Sequence, residues 1–103
     1  MKKRYIVCVD NLDKEQSIEI TNYFKQSSYG WWHWISNTWF VTDNKGVSSA
    51  SEMRDEIKKI LKNKKIIVVE LNENGDKWAG ATVNDPEKKM FKWLHNSWKK
   101  SKP

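Results

Sequence analysis

Residues 31–43, WWHWISNTWFVTD, hold the reading that decides the fold. Trp31 to Ser36 and Thr38 to Asp43 are two runs rich in aromatic and β-branched residues, joined tightly around Asn37 as a β-hairpin. Side chains alternate across a strand, so Trp31 and His33 point one way, and Trp32 and Trp34 the other. In the second strand Trp39 and Val41 oppose Phe40. Each large aromatic has about 150–250 Å² of area to bury, so neither face of this hairpin is built for water alone.

Outward on the N-terminal side, Arg4 to Asp10 is a short apolar run (Tyr5, Ile6, Val7, Val9) that predicts a strand buried on both faces. Its apolar stretch is five residues long and ends in Asp10, so MKKRYIVCVD is expected to be a strand and not a signal peptide. Asp13 and Gln16 form a capping box that opens a helix. Ile20, Tyr23, Phe24 and Ser27 share one face of it, and Gly30 is expected to end the segment.

On the C-terminal side, Asn44-Lys45-Gly46 is a loop signal. Ser49 with Glu52 forms a second capping box, followed by Met53, Ile57, Ile60 and Leu61 at helical spacing. Ile66 to Leu71 is another run apolar on both faces, Asn74-Gly75 a turn, and Lys77 to Val83 a short fifth strand. Asp85 as cap and Pro86 at the first helical position open a last helix. Met90, Phe91, Leu94 and Trp98 fall on one side of that helix, with Trp93 at the margin and the lysines opposite.

Strand, helix, strand, strand, helix, strand is the split βαβ order of an α+β, ferredoxin-like βαββαβ fold, here with an extra short strand and a C-terminal helix. The chain of 103 residues is read as a domain over 1–84 with a basic amphipathic helix over 85–103 packed on it. Two helices on one side of four strands leave the other side open. That greasy side needs a cover, and the candidates are the terminal helix, a second copy of the chain, or stacked bases.

Composition narrows the function classes. The chain is 38% hydrophobic and 31% charged, as in globular proteins, and no apolar run approaches the ~20 residues that span a bilayer. No membrane partner is expected. Cys8 is the single cysteine, which excludes an internal disulfide and a thiolate metal cluster and suits a cytoplasmic location. Nineteen Lys and Arg against 13 Asp and Glu leave +6. From Glu87 onward six lysines face one acid, and Lys58, Lys59, Lys62, Lys64 and Lys65 form a second cluster. Such asymmetry suits RNA or DNA, and equally a solvated, solubilising surface. Glycine-rich phosphate loops, Gly-x-Ser-x-Gly and His-Glu-x-x-His are absent.

Three stretches carry a resemblance: IVCVD (6–10), WHWISNTWFV (32–41) and SEMRDEIKKILKNKKIIVVEL (51–71). Over about residues 4 to 80 the chain resembles the SinR-like group of small proteins, relatives of the second CRISPR-associated adaptation protein (Cas two) and, more remotely, of virulence-associated protein D. The shared features are a strand ending in Asp10, Trp32-His33 ahead of Thr38-Trp39, and Arg54-Asp55 in the second helix. The resemblance implies a ferredoxin-like fold and dimers joined through their sheets. It also implies, for some members, cleavage of RNA or DNA with a divalent metal held near the first-strand aspartates of both subunits, while others are structural subunits. Asn37 stands where the group would have Ser, and the stretch from Asp85 to Pro103 does not match it.

Asp10 is the candidate for catalysis and for a metal. A carboxylate at the end of a strand, doubled by a dimer axis, gives two hard oxygen ligands for Mg²⁺, which can polarise a phosphodiester. The alternative is that Asp10 caps the turn that follows it. Arg4, Lys88, Lys89, Lys92 and Lys99 are the candidates for phosphates, and Trp31, Trp34, Trp39, Trp93 and Trp98 for an interface. His33, among three tryptophans, is read as a hydrogen-bonded packing histidine, His95 has no metal role, Cys8 is a buried thiol, and Arg54 with Asp55 is a salt-bridge pair. Two functions follow. One is a homodimer that binds nucleic acid and cleaves it with Mg²⁺; the other is a non-enzymatic module that presents its tryptophans and basic tail to a protein partner.

Overall fold

A computed structural model describes residues 2–72, 75, 77–81 and 92. Five strands, β1 (Lys3–Val9), β2 (Gly30–Ile35), β3 (Thr38–Asp43), β4 (Ile66–Leu71) and β5 (Lys77–Ala81), form one antiparallel sheet in the order β2-β3-β1-β4-β5. Helix α1 (Lys14–Gln26) joins β1 to β2, and α2 (Ala50–Ile60) joins β3 to β4. The protein is therefore α+β. The expected terminal helix opening at Asp85-Pro86, with Lys88, Lys89, Trp93, Trp98 and Lys99, lies outside the described residues; Lys92 is helical and exposed.

Local signals account for the elements. Asp13 caps α1 in a reciprocal box: its Oδ1 accepts the Gln16 amide at 2.8 Å, and Gln16 Oε1 accepts the Asp13 amide at 3.0 Å. At Ser49 one half of the expected box forms, its hydroxyl accepting the Glu52 amide at 3.1 Å. Gly30 does not end α1. The helix stops at Ser27, Ser28 takes the left-handed turn at φ 61°, and Gly30 begins β2. There a β-carbon would stand 2.5 Å from Thr42 Oγ1, so the glycine is set by crowding between strands.

Both helices contribute to one core. Tyr5, Val7 and Val9 of β1, Trp39 and Val41 of β3, and Ile66 and Val68 of β4 alternate inward against Ile20 and Phe24 of α1 and Met53 and Ile57 of α2. Trp39 is its largest member, fully buried, with Phe24 edge-on at 6.2 Å between ring centroids and its Nε1–H donated to Thr21 Oγ1 at 3.2 Å. The strands at 4–10 and 66–71, expected to be buried on both faces, are fully buried on this face only. Ile6, Cys8, Ile67, Val69 and Leu71 are half-buried and Arg4 is exposed. The reason is topological: the buried positions of α1 and α2 join a single cluster, so the sheet's other face gets no helix from them.

Candidate functional site

Asp10 follows the last residue of β1, at the end of the sheet where three connections meet. The Val9 amide donates to the Asn37 carbonyl in the hairpin turn at 2.9 Å, and the Asp10 amide donates to the Lys65 carbonyl at 2.9 Å. Asn11 then turns the chain at φ 53°, a left-handed conformation that asparagine tolerates, and its carbonyl accepts Lys64 Nζ at 2.5 Å. Around this convergence lies a concavity of about 230 Å³ lined by Cys8, Asp10, Asn37, Lys65 and Ile67 among others. Asp10 is exposed on its rim. The cap of α1 is Asp13, so the helix start does not need the Asp10 carboxylate.

The donor set decides what this end of the sheet offers a metal. Mg²⁺ takes about six oxygen ligands, usually one or two carboxylates with several waters and substrate phosphates completing the set. At this end of the sheet stand the Asp10 carboxylate and, in the α2–β4 connection, Lys64 and Lys65. Among the described residues no three His, Cys, Asp or Glu side chains gather as a metal group. Asp10 is the one carboxylate among the residues that line this concavity.

The other sequence candidates are dispersed. Arg4 and Asp10 stand at opposite ends of β1, about 20 Å apart along the strand, so they do not form one site. Trp34 is 82% exposed and Trp31 is partly exposed, with Lys25 Nζ 5.8 Å above its ring. Trp39, expected at an interface, is a correction: alternation in β3 places it under α1, where no partner reaches it, and the outward aromatic of that strand is Phe40. His33 stacks on Trp39 at 3.9 Å and pairs its Nδ1 with the Thr38 carbonyl at 2.9 Å, a packing role. Cys8 is half-buried, its Sγ 3.7 Å from Thr38 Oγ1. Arg54 pairs with Asp55 at 2.9 Å and reaches the Gly80 carbonyl at 3.5 Å, tying α2 to β5.

One cluster was not foreseen. Asp43 is 3% exposed, and its carboxylate accepts the amides of Lys45 (3.1 Å), Val47 (2.9 Å) and Ser48 (2.9 Å) and the Ser48 hydroxyl (2.7 Å). Burial alone would raise its pKa, but the Ser48 hydroxyl and the loop amides outweigh it and hold the carboxyl at about 2. The Ser48 hydroxyl also pairs with Tyr5 Oη at 3.0 Å, and Lys3 Nζ donates to the Ser48 carbonyl at 2.6 Å. Burial pushes the Tyr5 phenol up to about 12, against the lowering effect of Ser48. The signal was present in the sequence as an aspartate directly before Asn-Lys-Gly, the place where a side chain collects the amides of a loop. This is an anchor for the β3–α2 connection, with every oxygen engaged in structure.

No family model, curated protein or solved structure matches the chain.

Proposed function

We propose that this is a small nucleic-acid-associated protein that works as a cytoplasmic homodimer, in line with its resemblance to the SinR-like and Cas two-like group. The fold reading that goes with it is ferredoxin-like. Its support is the run β4-β1-β3-β2, with α1 and α2 as the two crossovers, to which β5 adds an edge strand. The observation that carries the function is the concavity at the end of β1, where the exposed Asp10 carboxylate, Lys65 and the Asn37 turn meet, with Lys64 bonded to the Asn11 carbonyl in the next turn, in a chain of net charge +6. Lys64 and Lys65 would hold a phosphodiester near Asp10. Mg²⁺-dependent cleavage belongs to this proposal only as a property of the dimer, in which a second Asp10 completes a carboxylate pair.

A second, non-enzymatic reading rests on the exposed tryptophans. The protein would then act as a binding subunit, meeting a macromolecular partner through exposed Trp31 and Trp34 and its basic surface. One assay separates the two. Single-stranded and double-stranded RNA and DNA are incubated with Mg²⁺ or Mn²⁺, with Asp10→Ala as control. Cleavage abolished by the substitution supports the metal-dependent reading, and cleavage unaffected by it removes Asp10 from the reaction. Salt-steep binding without cleavage leaves the binding subunit, and neither binding nor cleavage refutes association with nucleic acid.

A further inference from the structure

The face of the sheet turned away from the helices has a built surface of its own. Strand register brings Trp32, Phe40, Ile6, Val69 and Trp78 into a single row, one residue from each strand: Trp32 opposite Phe40, Phe40 opposite Ile6, Ile6 opposite Val69, and Val69 opposite Trp78. At the β2–β3 end this row is open to solvent. Trp32 is 41% and Phe40 49% exposed, and their rings rest against each other at 5.2 Å, tilted by 59°. One flanking row holds Arg4, Thr42 and Gly30, and the other holds Cys8 and Thr38. Gly30, which has no room for a β-carbon beside Thr42, keeps the floor next to Trp32 low. The acids of the central strands, Asp43 and Glu70, are buried on the helix side. The exposed patch thus combines two aromatic rings, threonine hydroxyls and one guanidinium.

We propose that this patch binds single-stranded nucleic acid, with bases stacked on Trp32 and Phe40 and the backbone held at Arg4. The inference rests on the association with nucleic acid proposed above and adds where, and in which form, the strand is bound. Stacking requires a free base face, which a duplex does not present and a single strand does. Charge names the occupant: a polyanion complements the Arg4 guanidinium and the chain's net +6. Because every base has a π-face, recognition here is tolerant of sequence.

The test is a fluorescence-anisotropy titration at two salt concentrations, using a labelled oligothymidylate and an oligouridylate of about 16 nucleotides and a duplex of the same length. The proteins are wild type, W32A, F40L and R4Q, with circular-dichroism melts to establish folding and sedimentation to establish oligomeric state. F40L retains bulk where F40A loses it, so a folded variant without the ring is available. The proposal expects tighter binding of single strands than of duplex, and a Kd raised about tenfold in W32A and in F40L. R4Q should reduce the salt slope by about 1. Equal affinity for single strands and duplex, unchanged in W32A and F40L, overturns the stacking platform while association with nucleic acid survives. Absence of binding to all three probes ends both. A wild-type dimer that F40L converts to monomers, with affinity for single strands unchanged, gives the patch to a second copy and overturns the proposal.

Discussion

Two faces of one sheet use the same strands and much the same alphabet. Tyr5, Val7 and Val9 alternate with Ile6 and Cys8; Trp39 and Val41 alternate with Phe40; Ile66 and Val68 alternate with Ile67 and Val69. The first member of each set is fully buried and the second is not. Hydrophobicity does not distinguish them. The crossovers do, because α1 and α2 set their apolar sides on one face, leaving the equally apolar alternates to a different fate. In this protein the face under α1 and α2 holds the described core, and the other face carries apolar side chains that are half-buried or exposed.

The comparison is broken or sharpened first at Trp39. Trp39→Ala should cost about 3–5 kcal/mol, the range for removing a large buried ring, because Phe24, His33 and Thr21 all lose their contact with it. Urea unfolding measures this directly. A loss below about 1 kcal/mol would mean that the helix-covered face is not the core and the contrast between faces is void.

Next in size is the buried carboxylate at the edge of that core. The Asp43 carboxyl sits at about 2 in the folded chain, below the ordinary value of about 3.9 that it takes on unfolding. Between those values the unfolded chain binds more protons. The stabilisation is therefore complete above about pH 5 and lost as pH falls through about 2, and it amounts to roughly 2–3 kcal/mol. Asp43→Asn should lower stability at pH 7 by a similar amount and flatten the acid limb of the stability curve across that window. An acid limb identical in wild type and variant would show that the loop amides do not hold this charge.

These two residues also show how much the sequence discloses. The hairpin, both helices, the Asp13 cap and β4 follow from alternation, helical spacing and turn chemistry, all of which are local and therefore written in neighbouring residues. The inward direction of Trp39 is different: alternation says that it opposes Phe40, but only the placement of α1 says which of the two is covered. Asp43 was legible as a loop neighbour and not as a buried anchor, since its burial depends on Tyr5 and Lys3, more than 35 positions away, closing over Ser48. At the site, a strand ending in Asp10 could be read directly. The convergence of Lys64, Lys65 and Asn37 on it could not, because that requires the β1–β4 pairing and the backbone bonds that continue it past Val9.

The smallest expected effect is the most discriminating. Trp34 and Trp39 are the same residue type in paired strands of one hairpin, yet Trp34 is 82% exposed and Trp39 is not exposed at all. Trp34→Ala should change stability by no more than about 0.5 kcal/mol, as surface substitutions do, so the two alanine variants should differ several-fold in cost. The irregular pairing between Trp32 and Ile35 separates Trp34 from the ladder that seats its neighbours, which is why so large a side chain can remain wet in a folded strand. If Trp34→Ala destabilises the protein as a core substitution would, and the loss grows with protein concentration, Trp34 is buried between two copies. The homodimer then runs through this edge of the sheet. If the loss is small at every concentration, Trp34 is free for a macromolecular partner, and its fluorescence should be quenched readily by iodide until that partner is added.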